Sequence, residues 1–470
     1  MQFKVQLIMY ADDGLEETVQ EIAVVEKDGQ RIEQVGLTLT EAKALLAALQ
    51  QRIVERQAAA FLATHTHCQA CGTPLPTKGH HTLTFRTLFG TLTLQSPRLR
   101  HCSCAPHATT TFSPLVDLLP EQTAPELLFM ETKWASLMSY GLTAQALKDF
   151  LPVDARLNDQ TVRNHTLAVA QRCEAALGDE QWAFVDGCPA DWEALPIPDG
   201  PLTVGIDGGY VRDWDKKKQH FEVIVGKSTL AFKRDEEDDI PSSKCFGFVQ
   251  SYDTKPKRRL FEVLTSQGHQ INQQITFLSD GEDTVRDLQL YLNPQAEHIL
   301  DWFHLSMRLT VLGQYAKGLV HHDQHLGEEI QDKLERLKWS LWHGNLYKAL
   351  HKIEDIDALI YNFEATYPKF KQLVKAVEEF RTYIDRNGRF IPNYGERWRY
   401  GEAIATGFVE STVNQVISKR FCKKQQMQWS RQGAHLLLQT RVKTLNGELR
   451  AVFQRWYPDF PVEEEEVWAA

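Results

Sequence analysis

Polar and apolar positions alternate in short stretches of the chain and recur every three to four residues in longer ones, which predicts a mixture of strands and helices. Phe3 to Met9 read as a strand. A helical stripe opens with TLTEAKALLAAL at Thr38 and runs through Val54 and Phe61; Glu41, three residues after Thr38, makes its start a capping box. Thr82 to Phe85 and Gly90 to Leu94 alternate on either side of a glycine turn, a hairpin pattern. Helical spacing returns from Leu127 to Leu177, where SYGLTAQALKDFL (from Ser139) and LNDQTVRNHTLAVA (from Leu157) flank a turn at Pro152 to Arg156. Asp179 to Gly200, with its prolines and tryptophans and no period, is expected to be a linker at a domain boundary.

Beyond it, PLTVGIDGGYVR (from Pro201) predicts a buried strand ending at Asp207 and two glycines, followed by strands in QHFEVIVG (from Gln219) and CFGFVQ (from Cys245). A helix near Arg259 to Gln267 leads to the strand QITFLSDG (from Gln274), with Asp280 at its end, and then to a strand in HILDWFH, His298 to His304. Gly313 to Arg389 is helical throughout, and Glu410 opens an amphipathic helix whose core face is Val413, Val416 and Ile417. Three successive strands with an acid on the first is how a ribonuclease-H-like sheet begins. The predicted class is therefore α/β: a ribonuclease-H-like catalytic domain with an all-α insertion, preceded by a zinc-ribbon-like and a helix-turn-helix-like region. The expected segments are an N-terminal strand and helix (1–62), a zinc-ribbon-like module (63–112), a helix-turn-helix-like region (125–178), the first part of the catalytic domain (200–304), the helical insertion (305–390), the second part (391–455) and an acidic tail (456–470).

Composition narrows the class without changing it. With 470 residues, 43% hydrophobic and 24% charged, the chain is neither disordered, nor collagen-like, nor a disulfide miniprotein. No apolar run approaches the roughly 20 residues that span a bilayer, and MQFKVQLIMYADDGLEE lacks a basic n-region and a small-residue cleavage site. A cytoplasmic protein is expected, with no membrane partner. The net charge of −10 argues against a surface that coats nucleic acid everywhere. Acidic runs at Asp235 to Asp239 and Glu463 to Glu466 offset a basic stretch from Arg381 to Arg450, so any contact with DNA must be local.

Four of the eight cysteines, Cys68, Cys71, Cys102 and Cys104, bracket the predicted hairpin, as in a ribbon that brings four thiolates to a structural Zn²⁺. The second pair is Cys-x-Cys, which leaves His101 or His107 as substitute ligands; a metal-free hairpin with free thiols is the plain alternative. In the helix-turn-helix-like region the polar start of the second helix, with Thr161, Arg163 and Asn164, is where a recognition helix offers side chains to the major groove, although a simple helical hairpin would read the same. Asp207 and Asp280, at the ends of neighbouring strands, suit a pair of Mg²⁺ or Mn²⁺ ions about 3.5–4 Å apart. Glu410 is the candidate third carboxylate, with Glu396 and Glu402 as competitors, and Asn414 shares its helix face. Asp301 and His304 could contact a metal, a water or a phosphate, while Asp301 could equally cap the next helix. Arg397, Arg399, Lys419, Arg420, Lys423, Lys424, Trp398 and Trp429 mix cations with aromatics as a phosphate backbone requires. VGKS (from Val225) lacks the upstream glycine of a phosphate-binding loop, and His321, His322 and His325 read as a solvated helix face.

On VGIDGGYVRDW, HFEVIVGKS, TFLSDGEDTVRDLQ, HILDWFHLSMRLT, LKWSLWHG and ATGFVESTVNQVISKRF, the chain from about Leu142 to Arg441 resembles bacterial insertion-sequence transposases of the ISKra type, relatives of the Mutator and ISL-type DDE enzymes. The resemblance implies that Asp207, Asp280 and Glu410 are the DDE triad, with Asp301 and His304 as the family's Asp/Cys-x-x-His signature. It further implies magnesium-dependent cleavage at element ends and transfer of the freed 3′-hydroxyl into target DNA, by a homodimer or larger assembly on paired terminal inverted repeats, in association with the bacterial nucleoid. A ribonuclease-H-like nuclease without strand transfer, and a catalytically relict zinc-ribbon and helix-turn-helix DNA-binding protein, are the alternatives.

Overall fold

The computed structural model describes residues 1–10, 16–29, 31–104, 111–184, 188–196, 198, 200–216, 218–230, 243–281, 288, 292, 296–361, 367–422 and 428–461. The chain is mixed α/β and divides into two units, Met1–Gln171 with Gly447–Ala470, and Arg172–Asn446. Among the described residues, no helix is long and apolar enough to cross a membrane.

In the first unit, β1 (Gln2–Tyr10) pairs antiparallel with β2 (Glu16–Glu26), a strand the sequence pattern did not mark. The helix α1 (Leu39–Thr64) starts where its capping box says: the Thr38 amide donates to the Glu41 carboxylate at 2.8 Å and the Glu41 amide to the Thr38 hydroxyl at 3.3 Å. The hairpin of β3 (Thr77–Thr87) and β4 (Gly90–Arg100) is longer than the alternation suggested, and β5 (Thr111–Phe112) adds a short third strand. Leu83 and Leu94 of the hairpin bury against Ala58 of α1 and Leu115 of α2 (Pro114–Leu118). Three helices follow, α3 (Pro125–Leu137), α4 (Tyr140–Phe150) and α5 (Asp159–Ala176); the boundary between the units falls inside α5.

The second unit takes in the end of α5 and the short helix α6 (Pro189–Glu193) and is built on a five-stranded sheet of order β10-β9-β6-β7-β8. Strands β6 (Leu202–Arg212), β7 (His220–Leu230) and β8 (Lys244–Val249) form an antiparallel meander, while β9 (Ile275–Ser279) and β10 (Glu297–Leu300) run parallel to β6 on its other side. Strand β6 does not stop at Asp207 as expected. Gly208 and Gly209 stay in the ladder opposite Ile224 and Val223, because the two glycines serve close packing rather than a turn.

Leu202, Val204, Ile206, Ile224 and Phe246 pack one sheet face against Leu260 and Leu264 of α7 (Pro256–Ser266). This helix starts three residues before the expected Arg259, since Pro256 is suited to a first turn and the Glu180 carboxylate accepts the amides of Lys257 (3.3 Å) and Arg258 (2.9 Å). The stretch expected as a linker is thus partly structural: Phe184 also stacks on Phe261, with centroids 4.5 Å apart.

A block of α-helices follows, comprising α8 (Trp302–Val320), α9 (Gln324–Trp342), α10 (Leu346–Tyr361) and α11 (Phe370–Asn387), around a core that includes Leu312, Ile330, Leu337, Ile353 and Phe380. The chain then passes through α12 (Tyr394–Arg399) to α13 (Gly407–Val413), which continues directly into a π-helix (Asn414–Cys422), and ends the unit with α14 (Arg431–Leu445). The last helix, α15 (Leu449–Trp456), belongs to the first unit, where Phe453 meets Phe129 edge-on at 5.4 Å.

Candidate active site and cysteine cluster

Asp207 lies in the middle of β6, on the face it shares with Gly205 and Gly209. A Cβ on Gly205 would fall 2.2 Å from Val409 and 2.7 Å from Phe408, and one on Gly209 would fall 2.7 Å from Ile417. The two bare positions therefore let α13 and the π-helix lie directly on the strand, which brings Glu410 to the side where Asp207 projects. Asp280 follows the last residue of β9, the strand parallel to β6. Asp207 feels both of the other acids. Burial raises the proton affinity of Asp207, and the charges of Asp280 and Glu410 raise it further, while the Gly208 amide, 2.7 Å from Oδ1, and His304 work the other way; its carboxyl sits above the usual range. Among the described residues the oxygens of these three acids do not form a group within 4.8 Å of one another.

Asp301 is not on a strand, because β10 ends at Leu300 and Asp301 caps α8. Its Oδ1 accepts the Phe303 amide at 2.7 Å and its Oδ2 accepts the Thr406 hydroxyl, with the side chain 0% exposed. Burial pushes its carboxyl up, against those two hydrogen bonds and His304. Each oxygen of Asp301 thus takes a protein donor. Thr406 is the residue before α13, and its carbonyl accepts the Val409 and Glu410 amides, so the Asp301–Thr406 bond ties the end of the sheet to the helix that carries Glu410. His304, in the first turn of α8, is the solvent-reaching member of the pair, with Nε2 3.8 Å from Asp301 Oδ2. Asn414, half-buried, opens the π-helix one turn after Glu410.

The competitors for the third acid are otherwise engaged. Glu402 accepts Arg397 at 2.8 Å, and Glu396 accepts the Asn393 side chain at 3.3 Å. Arg397 is also ion-paired to Glu297, which leaves it little charge to offer a phosphate.

Two expected DNA contacts are in the core instead. Arg420 is 0% exposed, with its guanidinium 5.1 Å from the ring of Trp429, itself buried. The π-helix turns Val416, Ile417, Arg420 and Phe421 inward together, and Lys419 outward. Arg441 of α14 donates to the carbonyls of Gln415 and Val416 beneath it; burial, and then the nearby Arg420, draw its pKa down to about 10. Arg399 and Lys419 are exposed, and Lys423 and Lys424 lie outside the described residues. In α5, Asn164 is exposed and accepts Gln160 at 2.8 Å, Arg163 is half-buried, and Thr161 bonds back to Asn158 at the helix start.

The four cysteines of the first unit converge. Their sulfurs all lie within 4.8 Å of one another, with Cys71 3.5 Å from Cys102 and Cys102 3.7 Å from Cys104. Gly72, at φ 68°, closes the turn that points the first pair the same way: its amide donates to Cys68 O at 2.8 Å while the Cys68 amide donates to Thr73 O at 2.9 Å. Hydrogen bonds from Thr73 first, then the neighbouring sulfurs, draw the Cys71 thiol down to about 6, and the crowding pushes Cys104 up to about 12. His101 stacks on Phe112 at 4.5 Å, and His107 lies outside the described residues.

The chain matches no family model and no curated protein.

The site therefore stands on its geometry. A second close group, Glu174, Asp253 and His435, is near enough to hold a metal, but the Arg259 guanidinium already sits in it, bonded to Glu174 at 2.9 and 3.0 Å and to Asp253 at 3.0 Å. The sequence reading missed Thr406 and Tyr383, whose hydroxyl reaches Asp280 from α11. Neither carries a local signal, since each acts across a long loop in the chain. The spacing of Gly205 and Gly209 around Asp207 was visible and could have marked the helix contact.

Proposed function

We propose that this chain is a DDE transposase of the ISKra type, cutting DNA at the ends of its element and joining the freed 3′-hydroxyl to target DNA. The observation that carries the reading is the convergence of Asp207, Asp280 and Glu410, where the last two charges act on the first. A meander of three antiparallel strands followed by two parallel ones, with acids on the first and fourth and a third acid on a helix laid over the first, supports a ribonuclease-H-like catalytic domain. The helical block between Asp280 and Glu410 is then its insertion.

An all-carboxylate donor set fits hard divalent cations. Asp207, Asp280 and Glu410 would hold two Mg²⁺ or Mn²⁺ ions, which supply activation of the attacking oxygen and stabilisation of the leaving one. Asp301 keeps His304 in place and anchors α13 through Thr406. His304, beside Asp207, is placed to hydrogen-bond a phosphate oxygen. In the first reaction water attacks the phosphodiester, one P–O bond forms and one breaks, and a 3′-hydroxyl leaves; in the second that hydroxyl attacks a target phosphodiester with the same balance, so no protein nucleophile is required.

Sulfur spacings of 3.5 and 3.7 Å match the separation of about 3.8 Å that a tetrahedral zinc with Zn–S near 2.3 Å imposes. Cys68, Cys71, Cys102 and Cys104 therefore fit a structural Zn²⁺. With α4 and α5 as a helix-turn-helix-like unit, the first unit would bind terminal inverted repeats, and Arg399 and Lys419 would meet DNA near the acids. A homodimer or larger assembly on paired ends, in a bacterial nucleoid, completes the reading.

The test is cleavage of a labelled duplex carrying the inverted repeat that flanks the gene, with Mg²⁺ or Mn²⁺. Wild type should nick at the repeat boundary and transfer the cut end to a plasmid. Asp207→Asn, Asp280→Asn and Glu410→Gln should bind the duplex but cut at least about 100-fold more slowly. Nicking without transfer would favour a simple nuclease, and binding without any cleavage a relict DNA-binding protein.

A further inference from the structure

Helix α11 buries Leu373, Val377, Phe380 and Ile384 in the helical block. Its adjoining face carries Tyr383 and Asn387, one turn apart, and both meet the turn that follows β9. The Tyr383 hydroxyl donates to the main-chain carbonyl of Asp280 at 2.8 Å. Asn387, 4% exposed, donates to Tyr383 O at 3.0 Å, and its Oδ1 lies 2.6 Å from where a Cβ on Gly281 would stand. Gly281 itself is at φ 91°, and its amide donates to Ser279 Oγ at 3.3 Å. The Arg308 guanidinium of α8 rests 4.2 Å from the centre of the Tyr383 ring, four residues on from His304. The residue that bears the second acid is thereby gripped by the helical block and not only by its own strand.

We propose that Tyr383 is a positioning residue for Asp280: one hydroxyl from the helical block fixes the main chain from which the second carboxylate projects, and so sets how tightly the acids hold a divalent cation. The idea rests on the metal-dependent reading of the three acids. Two features favour positioning over mere packing. The bond is made to the acid's own carbonyl, one residue past the end of β9. The ring is held from its other side by Arg308, so the hydroxyl cannot swing away without losing that contact.

The experiment titrates Mn²⁺ calorimetrically into the full-length protein, comparing wild type with Asp280→Asn, Tyr383→Phe and Ile384→Val. Tyr383→Phe keeps the ring under Arg308 and removes the hydroxyl, with its bond to Asp280 O and its contact with Arg308. It should bind Mn²⁺ about tenfold more weakly, and its cleavage should recover when Mn²⁺ is raised. Ile384→Val, which loosens the same helix without touching Asp280, should bind Mn²⁺ as wild type does. Wild-type affinity in Tyr383→Phe, with binding lost in Asp280→Asn, overturns the positioning role and leaves the active site standing. Equal weakening in Ile384→Val also overturns it, since the effect would then be general to the helix. If wild type binds no Mn²⁺, the metal-dependent function falls, and the positioning role with it.

Discussion

Gly205 and Gly209 stand two residues to either side of Asp207 and so face the same way. They meet different neighbours, and the difference makes a prediction. A methyl on Gly205 would run into Val409 Cγ2 at 2.2 Å and the Phe408 ring at 2.7 Å, a helix surface with no room to retreat, whereas one on Gly209 would meet Ile417 Cδ1, the far end of a flexible side chain. Gly205→Ala should therefore cost about 1–3 kcal/mol as an overpacked contact, push α13 off the strand and lower cleavage with it. Gly209→Ala should cost less than Gly205→Ala and leave more activity. Urea midpoints and cleavage rates of the two variants check this, and equal effects would mean that α13 is not seated as described. Single residues also show where a sequence stops being readable. Asp207, Asp280 and Glu410 could be picked out because acids beside apolar runs are locally conspicuous. Arg420 and Trp429 could not be recognised as core: a cation and an aromatic in a basic stretch look like a DNA surface, and only the π-helix's turn geometry sends Arg420 inward.

At the scale of elements, the end of α5 is held in the second unit by charge. Arg259 of α7 is buried and bonded to Glu174 of α5, to Asp253 before α7, and to Gln439 of α14 at 2.7 Å. Removing the guanidinium would leave two carboxylates facing each other out of water. Arg259→Met should destabilise by about 3–5 kcal/mol, read as a lowered urea midpoint. The same network sets a pH dependence. Burial would raise the Glu174 carboxyl, but hydrogen bonds from His435 and Arg259 outweigh it and hold the pKa at about 2, against 4.5 in an open chain. A depressed acid contributes stability that is complete above the unfolded value and disappears as pH falls through the folded one. Between pH 4.5 and 2, wild type should lose stability that Glu174→Gln, already without the charge, does not lose over that range. Urea midpoints measured across the range decide it; parallel curves would show that Glu174 carries no such linkage. This network was not legible from spacing, because its members come from three separate stretches of the chain, at Glu174, at Asp253 to Arg259 and at His435 to Gln439. The elements themselves were legible wherever a local rule applied, as at the capping box of Thr38 and Glu41. A bound was misplaced beside Asp301: the strand expected to reach His304 ends at Leu300, and Asp301 takes the capping role its position also allowed, with the Phe303 amide and the Thr406 hydroxyl on its oxygens.

For the molecule as a whole, each unit is held by a different kind of centre. The second has a sheet with an apolar core on one face and the acids on the other, while the first closes the open end of its β3–β4 hairpin with cysteines. Leu83 and Leu94 anchor the middle of that hairpin, and toward its open end Leu75 donates to Thr66 O and Arg100 to Pro76 O, beside the Cys68–Thr73 turn. If zinc joins the four sulfurs, it clamps that end, and its loss should be felt there rather than throughout. The purified protein should carry about one zinc per chain by elemental analysis, and Cys71→Ser or Cys102→Ser should lose it. Because the ligands must bind as thiolates, affinity should fall as pH drops. Stripping the metal with a chelator should speed amide exchange in the Cys68–Thr73 turn and at Thr77 and Leu99, while the β6–β7 ladder, whose order comes from its own core, exchanges as before. Unchanged exchange around the cysteines, in a protein shown to be metal-free, would assign them to a reduced hairpin that needs no ion.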